Sequence, residues 1–379
     1  MKTLLKNVSY FIIFAYSLLF STSYAQVINT GTIDTTDVKK LGKLTIGGYI
    51  DVYNSYFVGT TDQDGNRPYS FNNTRHNEIT VNLAFLDIKY SSSRVHARIV
   101  PGFGTYVNAN YAAEPGVLKN FMEASVGIRL VASKQIWLDV GVIGSPYTNE
   151  SYVSKDHLMY TRSLSAEYTP YYLSGAKLSI PLSSKLTAYF YLLNGWQVIQ
   201  DNNNRKAFGT QLEYRPTDKL LLNWDTFLGD ERSKDNPTNR LRYFTDFYAI
   251  YNPTGKFSFT SSAYIGVQDK EYLSNSLKSF VWWQANFIGS VRLSPKTSLA
   301  GRVEYFKDSD NAIVPSFTGV TGFETWSFGS CINIAVFDNA MLRLDGRLYS
   351  APTKEIFFDE SGKLTKTAGL LTGNITVWF

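Results

Sequence analysis

Cysteine is almost absent from this 379-residue chain: Cys331 stands alone, so no disulfide framework can form within it. Histidine is nearly as scarce, with only His76, His96 and His157. Charged residues make up 18% of the chain, and the bases are scattered rather than gathered on one patch or helix, which argues against nucleic acid as a partner. After the first 25 residues no long apolar run remains, although a helical membrane span needs roughly 20 such residues. Catalytic signatures are missing as well. No G-x-S-x-G or H-E-x-x-H occurs, and no His, Cys and carboxylate group shows metal-ligand spacing. Neither enzyme chemistry nor a cofactor or metal is expected.

What the chain does have is aromatic residues, at 15%, and a mean hydropathy of −0.17. Strict alternation of apolar and polar residues produces such a near-neutral average while offering one surface to lipid and one to water. The single long apolar run lies at the start, where Lys2 and Lys6 precede the stretch from Tyr10 to Phe20. Ser23 and Ala25 then supply small residues at −3 and −1, which predicts a signal peptide over 1–25, cleaved before Gln26. No cysteine follows the cut, which argues against a lipoprotein anchor. Cleavage removes Lys2 and Lys6 and takes the formal charge from +5 to about +3. A short polar leader over 26–42 and one barrel domain over 43–379 complete the expected organisation.

Within 43–379, segments of about 10 to 15 residues alternate with period 2, the mark of transmembrane strands. About sixteen can be counted, starting near Leu44, Asn77, Arg94, Asn120, Gln135, Tyr171, Lys185, Lys206, Lys219, Arg240, Lys256, Phe280, Ser298, Phe323, Met341 and Ala368. Tight turns such as Ser91-Ser92-Ser93, Ser183-Ser184 and Phe337-Asp338-Asn339 trade places with long polar connections such as 59–74, 147–170 and 351–366. Short turns at one end and long loops at the other are the asymmetry of an outer-membrane barrel, and no soluble sandwich needs it. The fold expected is therefore all-β: a transmembrane antiparallel up-and-down barrel in the outer membrane of a Gram-negative cell. Ile79, Val81, Leu83 and Phe85 fall out of phase with Leu86, Ile88 and Tyr90, which predicts a β-bulge near Phe85. The last segment places Leu371, Gly373, Ile375, Val377 and the terminal Phe379 on one face. It resembles the strand that the barrel-assembly machinery recognises, so Phe379 is read as a membrane-insertion signature.

Several stretches together resemble the OmpL-like porins of the beta-barrel porin-2 family, common in Bacteroidota. They are Gly47-Gly48-Tyr49-Ile50-Asp51, Phe85-Leu86-Asp87, Ala97-Arg98, Gly104-Thr105-Tyr106-Val107, Gly144-Ser145-Pro146-Tyr147, Arg162-Ser163-Leu164, Pro170-Tyr171-Tyr172 and Asn194-Gly195-Trp196-Gln197. The resemblance implies an outer-membrane channel and carries over neither a solute nor a binding site.

Sixteen strands leave an aqueous interior, so passive diffusion of small hydrophilic solutes or ions is the function expected. Parity puts Asp51, Arg98, Glu123, Arg129, Arg240, Arg242, Asp246, Arg302, Glu304, Arg343, Asp345 and Arg347 on the lumen face. Bases slightly outnumber acids there, which predicts at most a weak anion preference. The segment 147–170, with Glu150, Lys155, Asp156 and Arg162, is either a constriction loop folded into the pore or an ordinary surface loop. Tyr49, Tyr53, Tyr189 and Tyr191 fall on lumen parity and leave open a sugar-stacking slide for oligosaccharides, whereas Trp224, Trp283 and Trp326 fit interfacial girdles. A non-conducting or enzymatic barrel is the rival, and the chain is too short for a plugged 22-strand receptor. The partners expected are outer-membrane lipid and lipopolysaccharide, the assembly machinery and the solutes, with a homotrimer left open.

Overall fold

The computed structural model describes residues 42–253, 255–271 and 276–379. The expected signal peptide and all but the last residue of the leader lie outside them. Sixteen antiparallel strands close into one barrel: β1 (Lys43–Val58), β2 (Ile79–Ser91), β3 (Val95–Phe103), β4 (Phe121–Val131), β5 (Ile136–Gly144), β6 (Tyr172–Pro181), β7 (Leu186–Leu193), β8 (Ala207–Thr217), β9 (Leu220–Asp230), β10 (Asn239–Tyr251), β11 (Phe257–Glu271), β12 (Leu277–Arg292), β13 (Thr297–Asp308), β14 (Phe323–Phe337), β15 (Ala340–Ser350) and β18 (Thr367–Trp378). The hairpin of β16 (Phe357–Phe358) and β17 (Leu364–Thr365) sits in the connection before β18. Each of the sixteen barrel strands begins within three residues of its expected start.

Alternation explains why these segments are strands and which way each faces. In β15 the arginines and aspartate of one face, Arg343, Asp345 and Arg347, are at most 3% exposed, while Leu342, Leu344 and Leu348 of the other are 41–65% exposed. In a barrel the apolar exposed face meets lipid and the polar face meets the interior, the reverse of a soluble protein. Trp224, Trp283 and Trp326 stand outward among these apolar residues, as their parity predicts, and Tyr214 and Tyr243 stand outward with them. The phase break in β2 lies at Asn82 rather than near Phe85: Asp51 faces Leu83 and Val52 faces Val81, so Asn82 is the extra residue. Its amide turns inward, donating to Asp51 Oδ2 at 3.1 Å.

Two long connections escaped the sequence reading. The one between β3 and β4 holds a short helix, α1 (Thr105–Asn110), and a 3-10 turn over Gly116–Asn120. The other, 194–206, joins β7 to β8.

The barrel closes between β1 and β18, from Tyr49 opposite Trp378 to Val58 opposite Gly369. Phe379 extends the seam, its N–H donating to the Gly48 carbonyl at 3.0 Å and its carbonyl accepting from the Gly48 N–H at 2.9 Å. A Cβ at position 48 would lie 2.1 Å from the Phe379 ring, so this glycine is what lets the terminal ring lie on the strand. Gly48→Val is therefore expected to displace the ring and cost about 1–3 kcal/mol of barrel stability. Urea unfolding in detergent micelles reads this, and an unchanged midpoint would show that the ring moves aside freely.

Candidate functional site: the lumen and its inward loop

The connection 145–171 between β5 and β6 turns into the barrel instead of standing over it. Its middle has almost no contact with solvent: Ser154, Met159, Thr161, Arg162, Ser163, Ser165 and Ala166 are each at most 1% exposed. Local structure is slight, a 3-10 turn over Ser154–Asp156 and the single helical turn α2 (Leu164–Glu167), capped by the Ser163 hydroxyl accepting from the Ala166 N–H. A loop with so little regular structure leaves its backbone groups to be satisfied by other parts of the chain.

The barrel wall supplies those partners. Asp345 accepts from the Tyr160 and Thr161 N–H groups at 3.1 and 3.0 Å. Arg302 donates to the Thr161 carbonyl at 2.7 Å, Arg343 to the Ser154 carbonyl at 2.7 Å, and Arg347 to the Arg162 carbonyl at 2.7 Å. Glu304 accepts the Leu164 N–H at 2.6 Å and pairs with both Arg302 and Arg347. Asp246 accepts the Thr148 N–H at 2.6 Å, and Asn149 donates to Thr260 and Asn286 at 2.9 and 3.1 Å. On β1, Tyr49 shares a 2.6 Å hydrogen bond with Ser154, and Asp51 accepts from the Tyr160 hydroxyl at 3.1 Å. On the other side, Glu123 accepts the Tyr152 hydroxyl at 2.6 Å. The loop thus crosses the interior and is tied to the wall from β9 through β15 and on to β1.

Of the residues expected in the lumen, Asp51, Glu123, Asp246, Arg302, Glu304, Arg343, Asp345 and Arg347 are drawn together by this loop. Arg98 faces the interior as well, held by Asp87 at 2.9 Å and Glu123 at 2.6 Å. Arg242 is 6% exposed and stacks over the Trp196 and Trp282 rings at 5.1 and 5.7 Å. Arg129 lies apart, at the tight-turn end, donating to the Lys134 and Ser93 carbonyls. Arg240 also lies apart, at the opposite end, with Glu271. The arginines of the second half do not form a water-facing basic strip, because Arg302, Arg343 and Arg347 are at most 4% exposed beneath the loop. Tyr49 and Tyr53, 1% exposed, have no open ring face for a sugar to stack on.

Within the loop, Arg162 acts as an internal brace, donating to the Ser151, Tyr160 and Tyr152 carbonyls at 2.7 to 2.9 Å. Glu150 accepts the Ser163 N–H at 2.8 Å, whereas Lys155 and Asp156 pair with one another towards solvent. Burial pushes the Glu167 carboxyl up, opposed by the Arg67 guanidinium. Burial together with Arg162, Arg343 and Lys155 pushes the His157 imidazole well down, so it stays neutral and accepts the Ser151 N–H at 2.9 Å. The residues that sequence reasoning missed are the small hydroxyl and aromatic ones: Thr148, Tyr152, Ser154, Tyr160, Thr161 and Ser165. Their crowding into one connection was the available signal.

Between the loop and the wall of β3 to β5 lies a cavity of about 230 Å³, lined by Arg98, Glu123, Tyr147, Glu150, Tyr152 and Tyr171 among others. On the wall from β2 to β8, towards the tight-turn end, Lys89 and Arg215 are exposed and Lys177 is partly exposed.

The fold is similar to those of solved porins and outer-membrane proteins. The channel DcaP of Acinetobacter baumannii aligns with a TM-score of 0.62 at 9% identity, covering 92% of this chain and 99% of that one. The trimer form of OmpT from Vibrio cholerae aligns at 0.57 and 10% identity, covering 89% and 100%. An anion-selective porin from Comamonas acidovorans gives 0.58 at 10% identity, covering 89% and 100%. At such identities the likeness extends to the fold alone. No curated protein sequence matches the chain. Residues 43–379, the whole barrel, match the profile described as beta-barrel porin-2, OmpL-like, and the chain belongs to that family of outer-membrane porins.

Proposed function

We propose that this porin passes small hydrophilic solutes and ions by passive diffusion along the β2–β8 wall, beside a loop that narrows the lumen, with a weak preference for anions. One observation carries the reading. In each charge pair on that wall the base is the more exposed partner: Lys89 at 50% against Asp87 at 16%, Arg98 at 30% against Glu123 at 9%, Lys177 at 27% against Asp139 at 9%, and Arg215 at 53% against Glu213 at 23%. Water in the passage therefore meets more cationic than anionic groups, and a solute anion gains from that potential.

A channel rather than an enzyme is also favoured by the use made of the histidines. His76 accepts the Phe57 N–H at 3.1 Å and His96 pairs with Asp139, while the His157 Nε2 that lies 3.3 Å from the Ser151 hydroxyl already accepts the Ser151 N–H at 2.9 Å, which leaves it poorly placed to act as a base. The same reading includes export by a cleaved signal peptide over 1–25 and assembly as a homotrimer, the latter supported by the trimer form of the structurally similar OmpT.

The test is the reversal potential of single channels in a planar bilayer under a potassium chloride gradient. Wild type is expected to show a small shift of the sign set by chloride, and Lys89→Glu with Arg215→Glu to move it towards potassium. A reversal potential that does not respond to the double change would contradict the passage proposed.

A further inference from the structure

Asp225 of β9 and Asp246 of β10 are register partners, and they are 0% and 1% exposed. Directly opposed side chains on one face have Cβ atoms roughly 4.5–5.5 Å apart, so two carboxylates share one small dry space where like charges repel. Other buried acids in this barrel have an answer to burial. Glu304 has two arginines, Glu123 has Arg98, and Asp308 accepts three backbone N–H groups at 2.7 to 2.9 Å. Among the described residues no lysine or arginine pairs with Asp225 or Asp246. Asp246 accepts the Thr148 N–H at 2.6 Å and the Ser262 hydroxyl at 3.3 Å. Asp225 accepts from the Asn223 amide through Oδ2, while its Oδ1 is buried with no hydrogen-bond partner.

We propose that Asp225 and Asp246 bind one hard divalent cation, calcium being the match in charge. The unpartnered Asp225 Oδ1 is the atom that a ligand must satisfy. A single shared proton would neutralise one carboxylate and leave the other buried without a base, whereas a divalent ion answers both. Neutral oxygens stand nearby: Gln211, opposite Asp225, accepts the Tyr191 hydroxyl at 2.6 Å through its amide oxygen and keeps a second lone pair there, and Tyr248 stands opposite Asn223. Carboxylates, side-chain amides, hydroxyls and water are the donors that calcium takes, and no thiol or imidazole is present to favour a softer metal. No group of three or more His, Cys, Asp or Glu with metal-binding geometry occurs among the described residues, so the site consists of two carboxylates completed by neutral oxygens. Asp246 also holds Thr148, so the ion and the inward loop share a ligand.

Tyrosine-sensitised terbium luminescence of the refolded full-length barrel in detergent micelles, with calcium as competitor, tests this. One saturable site per chain is expected in wild type, at least tenfold weaker in Asp225→Asn and lost in Asp225→Asn/Asp246→Asn. Calcium is expected to raise the unfolding temperature of wild type and not that of the double variant. Absence of a saturable site, or undiminished binding in the double variant, overturns the proposal. If the double variant does not assemble, undiminished terbium affinity in Asp225→Asn, whose amide keeps the shape of the acid, overturns it equally.

Discussion

Excising the inward loop, with residues 148–168 replaced by a short Gly/Ser linker, is expected to raise single-channel conductance several-fold. The deletion is structurally mild at its ends, because Gly144 of β5 and Tyr172 of β6 are already cross-strand neighbours and a few residues close the gap. What it removes is the body of side chains that fills the middle of the lumen. Sixteen strands leave an aqueous interior when nothing folds into it, and the current through such a pore follows its open cross-section. Of the wall charges uncovered by the deletion, Arg302, Arg343 and Arg347 face Asp51, Glu304 and Asp345, and Glu123 keeps Arg98, so only Asp246 adds to the net charge and the wall takes up water without a large net field. An unchanged conductance in planar bilayers would place the ion path somewhere the loop does not reach.

Glu304→Gln is expected to be the most damaging single change in the wall. Glu304 and its partners Arg302 and Arg347 have side chains at most 1% exposed, and the carboxylate also accepts the Leu164 N–H of the loop. An isolated buried charge is far more costly than a buried pair, and removing one partner typically costs about 3–5 kcal/mol. Neutralising the glutamate leaves two guanidinium groups facing one another in a dry space, so both barrel stability and loop docking suffer together. Denaturant unfolding in micelles reads the first, and an increase in conductance noise reads the second. Glu360→Gln, on an exposed loop acid that accepts the Tyr56 hydroxyl, is expected to stay within about 0.5 kcal/mol of wild type. Equal effects of the two changes would show that the Glu304 cluster does not hold the loop.

The wall of this molecule was legible in its sequence because period-2 alternation and turn chemistry are local. Leu342 and Arg343 declare their opposite faces side by side, and Ser183-Ser184 or Phe337-Asp338-Asn339 mark a hairpin without reference to the rest of the chain. The bulge at Asn82 was mislocated because the phase of alternating residues shows that a break exists but not which residue is extra; pairing with Asp51 and Val52 decides it. The connection through α1 was missed because Tyr106 and Val107, buried beneath the outer loops, continue the apolar look of a strand. The path of the inward loop was not legible because its partners lie far along the chain. Tyr160 meets Asp345 across 185 positions, and Asn149 meets Asn286 across 137. Parity correctly turned Arg343 and Arg347 inward, but it could not distinguish an arginine facing water from one holding a loop carbonyl.

Cross-linking the loop to the wall tests most directly whether 145–171 occupies the lumen. The hydroxyls of Ser165 in the loop and Ser262 on β11 lie 3.2 Å apart, buried, at a separation that two cysteine sulfurs can bridge. In a Cys331→Ala background, Ser165→Cys with Ser262→Cys is expected to form a disulfide on mild oxidation of the folded barrel, seen by mass spectrometry, with conductance unchanged from the reduced form. Two thiols that stay free in a correctly folded barrel would contradict the placement of the loop.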